Sequence, residues 1–127
     1  MADHAPKPGT IGWIDLTVPD AERLRRFYTE VTGWTSSPVD MGGYDDFNMS
    51  PPGSAPVAGV CHARRMNADL PSQWLIYIIV EDLDVSLRRA AEFGGRVLAG
   101  PKKMGGHGRY AVVQDPAGAV AALWQHG

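Results

Sequence analysis

Asp15 lies in the run Gly12-Trp13-Ile14-Asp15-Leu16-Thr17-Val18, where apolar neighbours flank its carboxylate. A carboxylate in such surroundings is either paired or biased toward its neutral form, and both states suit a general base or a ligand anchor. Trp13, two residues earlier, shares its strand face and offers a planar wall to an aromatic ligand or a plug that fills space. Cys61 and His62 follow one another, and His107 and Arg109 stand in Met104-Gly105-Gly106-His107-Gly108-Arg109. Asp15, Cys61, His62 and His107 are metal-binding types, yet no paired ligand spacing joins them. The glycine-rich loop lacks the strand-to-helix setting of a phosphate loop and reads as a hairpin rim whose His107 and Arg109 could touch a ligand. A lone cysteine excludes an intrachain disulfide framework and fits a small buried hydrophobe. His4 and His126 lie near the ends and read as solvated, and no Ser-His-Asp arrangement can be traced.

With 127 residues, 44% hydrophobic and 20% charged, the chain suits a single compact domain with a small core. The net charge of -2 and the scatter of basic residues into pairs such as Arg25-Arg26 and Arg64-Arg65 exclude an electrostatic footprint for nucleic acid. The opening residues are polar and Pro-rich, without the apolar stretch of a secretory leader, and no segment reaches the length of a membrane span. A cytoplasmic location and no membrane partner are therefore expected.

What positions these residues is an internal duplication. Val18-Pro19-Asp20 is echoed by Val80-Glu81-Asp82, Gly33 by Gly95, Met41-Gly42-Gly43 by Met104-Gly105-Gly106, and Ser50-Pro51-Pro52-Gly53 by Asp115-Pro116-Ala117-Gly118. The echoes keep their order, which marks a repeated structural unit. Each half reads as strand, helix opening at an acidic cap, then strands broken by Gly and Pro turns. Strands are predicted over residues 12–18, 44–49 and 57–62, and over 74–80, 109–114 and 119–125. Ala21, Leu24, Phe27, Tyr28 and Val31 form one helical stripe, and Leu83, Leu87, Ala90 and Ala91 the other. Gly33 suits a left-handed helix terminator. The polar segment 63–72 joins modules of about 10–62 and 73–126 within one domain.

Strand alternation sends Ile14, Leu16 and Val18 toward one helix and Ile76, Ile78 and Val80 toward the other. Trp13, Asp15 and Thr17, with Leu75, Tyr77 and Ile79, are left on sheet faces that have no helix of their own. Two such units can curve into an incomplete barrel whose shared concave face covers that surface and leaves a cleft. The expected fold is thus α+β, two βαβββ modules forming a cup. Its lining would include Trp13, Asp15, Tyr44, Phe47, Leu75, Tyr77, His107, Arg109, Ala122 and Trp124, with Met49 and Tyr110 as further candidates.

Trp13-Ile14-Asp15-Leu16-Thr17-Val18-Pro19-Asp20, Arg26-Phe27-Tyr28, Gly33-Trp34 and Asp115-Pro116-Ala117-Gly118 together resemble the vicinal oxygen chelate superfamily of glyoxalases, bleomycin resistance proteins and extradiol dioxygenases. The resemblance covers roughly residues 11–125. It extends to an actinobacterial branch described as hydroxylase-like or glyoxalase-like, a description that leaves the chemistry open. It implies a divalent metal held by His, Gln or Glu on the first and fourth strands of both modules. Aligned on the capping aspartates and the Asp-Pro-x-Gly turn, those positions fall at Trp13, Gly59, Leu75 and Ala122, none of which is a donor. The expectation is a metal-independent protein without cofactor that binds a small, partly apolar molecule in the cup, and a homodimer is compatible with it. Two alternatives stay open: a glyoxalase-like or dioxygenase-like enzyme with a displaced metal or an Asp15-based metal-free mechanism, and a non-catalytic interaction module with a self-filled cup.

Overall fold

The computed structural model describes residues 6–127. His4 lies outside the described residues. The chain divides into two compact units, Trp13–Trp74 and Leu75–Gly127, the latter joined by the described residues before Trp13.

The first unit is a βαβββ module. Strand β1 (Ile11–Val18) leads to helix α1 (Ala21–Thr32), followed by β2 (Thr35–Asp40), β3 (Asp45–Ser50) and β4 (Ala58–His62). The strand order is β2-β3-β4-β1, with β1 and β4 parallel and the other neighbours antiparallel. Asp20 caps α1 by accepting from Arg23 N at 3.1 Å, and Gly33 ends it with φ 81. That left-handed conformation is one glycine adopts without a Cβ penalty. Leu16, Val18, Ala21, Phe47, Met49 and Val60 form the core between sheet and helix, with Leu24, Tyr28, Trp34 and Trp74 packed on it. The helix stripe is narrower than its sequence suggests: Phe27 and Val31 are 53% and 63% exposed, while Ala21, Leu24 and Tyr28 face the sheet. Segment 63–72 holds one 3-10 turn, Arg65–Asn67.

The second unit repeats the plan with β5 (Trp74–Ile79), α2 (Leu83–Glu92), β6 (Arg96–Lys103), β7 (Gly108–Gln114) and β8 (Val120–His126), in the order β5-β8-β7-β6. Here β5 and β8 are the parallel pair. Asp82 caps α2 through Val85 N at 3.2 Å, and Gln125 Oε1 takes Leu83 N at 2.7 Å. Leu83, the first residue of α2, is fully buried, whereas Ala91, expected in its stripe, is exposed. Both modules therefore show the expected α+β, βαβββ architecture. Among the described residues no helix is long and apolar enough to cross a membrane.

Candidate functional site

In the first module the core assigns the faces of every strand. Leu16 and Val18 point into the core from β1, Phe47 and Met49 from β3, and Val60 from β4. The alternating residues Trp13, Asp15, Thr17, Asp46, Asn48, Gly59 and Cys61 therefore occupy the opposite, helix-free face. Pairing brings them into rows: Asp15 lies beside Gly59 and Thr17 beside Cys61 across β1 and β4, and Asn48 beside Gly59 across β3 and β4.

A hydrogen-bonded chain runs through these rows. Trp13 Nε1 donates to Asp15 Oδ1 at 2.6 Å, a short bond of the kind a carboxylate acceptor gives. Gly59 makes room for it, because a Cβ at that position would overlap Asp15 Oδ1 and stand 3.4 Å from Trp13 Nε1. Asp46, 8% exposed, accepts from His62 N at 2.8 Å. The Cys61 thiol lies between the two carboxylates and can hydrogen-bond to either. Burial pushes its pKa up, and the negative fields of Asp15 and Asp46 push it further. A thiol so held keeps its proton and is a donor to a carboxylate.

Tyr44 directly precedes β3. His62 stands edge-on to its ring, centroids 5.5 Å apart at 87°, and the Arg64 guanidinium lies 4.1 Å from its centroid. Phe47, expected beside Tyr44, is on the other face: it is 7% exposed in the core, with Arg25 of α1 5.0 Å from its ring. The period of two corrects the expectation, since Phe47 shares the phase of the core residue Met49 while Tyr44 lies outside the strand. The same reasoning points to Asp46 and Asn48, which sequence reading passed over.

The helix-free face of the second module is apolar. Tyr77 pairs with Ala122 and Ile79 with Trp124 across β5 and β8, while Tyr110 pairs with Trp124 and Val112 with Ala122 across β7 and β8. Leu75, Val112 and Ala122 are fully buried, and Tyr77 and Trp124 are half-buried. The Tyr77 and Tyr110 rings lie 6.1 Å apart, and Trp124 Nε1 donates to His126 Nδ1 at 3.1 Å. Arg109 departs from the expected lining. It points to the helix side, where its guanidinium meets Asp84 at 3.2 Å and Gln125 at 3.3 Å. Its neighbours on the strand, Gly108 and Tyr110, have the opposite phase. His107 is exposed in the turn between β6 and β7, where its backbone bonds Met104 and Gly127.

The register also tests the family's metal positions. The pair Asp15 and Gly59 recurs as Tyr77 and Ala122, so Gly59 is the counterpart of Ala122, and neither Val57 nor Cys61 takes that place. An indole, a hydrogen, an isobutyl group and a methyl at positions 13, 59, 75 and 122 supply no lone pair for a divalent cation. The indole N–H is moreover engaged with Asp15. Among the described residues, no three His, Cys, Asp or Glu side chains are grouped to hold a metal. The residues at these positions do not fit the group.

Residues 10–123 match the family model described as Glyoxalase/Bleomycin resistance protein/Dioxygenase superfamily. Anthracycline biosynthesis protein DnrV of Streptomyces peucetius is 34% identical over 132 residues, covering 94% of this chain and 48% of that protein. The putative glyoxylase CFP32 of Mycobacterium tuberculosis is 33% identical over 115 residues, covering 91% of this chain and 43% of its own. The chain spans about half the length of the curated relatives it matches. Among solved structures, methylmalonyl-CoA epimerase from Mycobacterium tuberculosis is similar with TM-score 0.53 and 19% identity over 90% of this chain and 85% of that one. A second methylmalonyl-CoA epimerase gives TM-score 0.56 and 18% identity over 97% and 99%. At such identities the likeness is one of fold. By its two βαβββ modules and its family match over residues 10–123, this chain belongs to the Glyoxalase/Bleomycin resistance protein/Dioxygenase superfamily.

Proposed function

We propose that this protein binds a small, partly aromatic molecule against the helix-free sheet face of its first module without a metal ion. The observation that carries the reading is the Trp13 to Asp15 hydrogen bond across Gly59, which puts an indole and an anchored carboxylate where the family places donors. The indole supplies a stacking surface, and Asp15, oriented by its N–H, supplies an acceptor for a hydroxyl or amine of the ligand. A cytoplasmic location belongs to the same proposal.

The test is a fluorescence titration of 2-naphthol into protein purified without metal-affinity resin, before and after extraction with EDTA. The affinity should be the same in both, and Trp13→Ala should weaken it about tenfold or more, as loss of a stacking aromatic does. Binding that disappears with EDTA, or stoichiometric Fe, Mn, Ni or Zn in the purified protein, would overturn the metal-free reading. Asp15 also favours a second reading, a metal-free catalyst with this carboxylate as general base. That reading requires a substrate whose turnover is lost in Asp15→Asn while its binding is kept.

A further inference from the structure

A second group of side chains gathers where β4 ends. Ala63 N donates to Val18 O at 2.8 Å, so the pairing of β1 with β4 continues one residue past the strand. Arg64 then follows in extended conformation, with φ -137 and ψ 157. Arg65 turns the chain with φ 57, a left-handed conformation that a non-glycine residue keeps only where its surroundings impose it. Arg64 is thus fixed by its backbone on both sides, and its guanidinium stacks on Tyr44 at 4.1 Å.

The guanidinium lies over the Tyr44 ring, and its N–H groups form a planar edge. That edge matches the two oxygens of a carboxylate or phosphate, and the ring beneath holds it in place before a ligand arrives. Among the described residues the arginine ion pairs are Arg25 with Glu22, Arg89 with Glu92 and Arg109 with Asp84, and Arg64 is in none of them. The His62 ring stands edge-on to the same tyrosine.

We infer that Arg64, stacked on Tyr44 and flanked by His62, is a subsite for an oxyanion of the ligand, a carboxylate or a phosphate. Val18 pairs with His62 and Ala63 continues that pairing, so the subsite lies past the end of β4, beyond the row of Asp15 and Gly59. The ligand class is then an aromatic group bearing a carboxylate or phosphate. The inference rests on the proposed function for the aromatic part alone.

The experiment is an amide NMR titration at constant ionic strength with phenyl phosphate, benzoate, inorganic phosphate and benzyl alcohol. The anions should give saturable shifts confined to Tyr44 and residues 62–65. Arg64→Gln should weaken them at least fivefold. Arg64→Lys, which keeps the charge and loses the planar fork, should weaken them too, while Arg88→Gln on α2 serves as the unaffected control. Equal affinities in wild type and Arg64→Gln would overturn the subsite, as would shifts spread over every arginine. The readings can fail separately. Benzyl alcohol binding that no anion improves removes the subsite and leaves the aromatic site. Inorganic phosphate binding as well as phenyl phosphate keeps the subsite and removes the aromatic part.

Discussion

Asp15 beside Gly59 in the first module and Tyr77 beside Ala122 in the second occupy the same two places of a repeated plan, across a parallel strand pair in each case. Two residues further along the last strand, Cys61 corresponds to Trp124. The first face is a hydrogen-bonded row of indole, carboxylates and thiol; the second is aliphatic and aromatic. Duplication has therefore preserved backbone pairing and caps while the helix-free faces diverged. Polar groups with named partners line the one face, and apolar and aromatic side chains the other. Among the described residues neither face groups three His, Cys, Asp or Glu side chains that could hold a metal.

The largest effect should come from the apolar face. Leu75 is fully buried, and Leu75→Ala should lower the unfolding free energy by about 3 kcal/mol through lost burial and a residual cavity, as read by urea denaturation. A loss below about 1 kcal/mol would mean that this face is not close-packed and that the contrast between modules is overdrawn.

Exchanging the paired residue comes next. Gly59→Ala places the second module's methyl in the first, where it overlaps Asp15 Oδ1 and should destabilise by about 2 kcal/mol. In the Asp15→Ala background the same change should become nearly neutral, because the overlapping group is gone. A double-mutant cycle without coupling would show that the glycine serves the backbone and not the carboxylate.

Outside the open faces the modules should behave alike. Asp20 and Asp82 each cap a helix through the N–H three residues on, and replacing either by alanine should cost about 1 kcal/mol in thermal or urea unfolding. A difference beyond about 0.5 kcal/mol would trace to Gln125, which holds Leu83 N in α2 and has no counterpart among the bonds of α1.

The caps, both helices, Gly33 and three strands of each module were legible because local chemistry dictates them: an acidic cap, a 3.6-residue stripe, a left-handed glycine. Strands β2 and β6 were not bounded in advance. Thr35-Ser36-Ser37-Pro38-Val39-Asp40 is polar and holds a proline, and β6 is interrupted at Gly100-Pro101 where its register with β7 shifts. Both are edge strands, the one place in a sheet that tolerates such residues and so gives the weakest pattern. Trp13, Asp15, Leu75 and Tyr77 were named from strand phase, and Ala122 from aligning the Asp-Pro-x-Gly turn with the family's metal positions. The roles of Asp46 and Arg64 depend on which strand lies beside which, and a phase argument along one strand does not contain that. Arg109 shows the converse: its distance from Asp84 in sequence hid a tertiary partner that draws it to the helix side.

Cys61 gives the smallest effect and one that the second module cannot share, since Trp124 holds its place. Burial and the fields of Asp15 and Asp46 raise the thiol pKa in the folded state, whereas in the unfolded chain it returns to about 8.5. Below that value both states hold the proton and stability does not depend on this group. Above it the unfolded chain releases the proton and the native protein keeps it, so unfolding is favoured as pH rises. The contribution should be under about 1 kcal/mol across the first pH unit above 8.5, and Cys61→Ser should remove it while leaving the titration of other groups in place. Urea midpoints of both proteins at pH 8.0, 8.5, 9.0 and 9.5 supply the comparison. Parallel curves would show that the thiol is ordinary, and with it would go the picture of Cys61 as a proton held between two carboxylates.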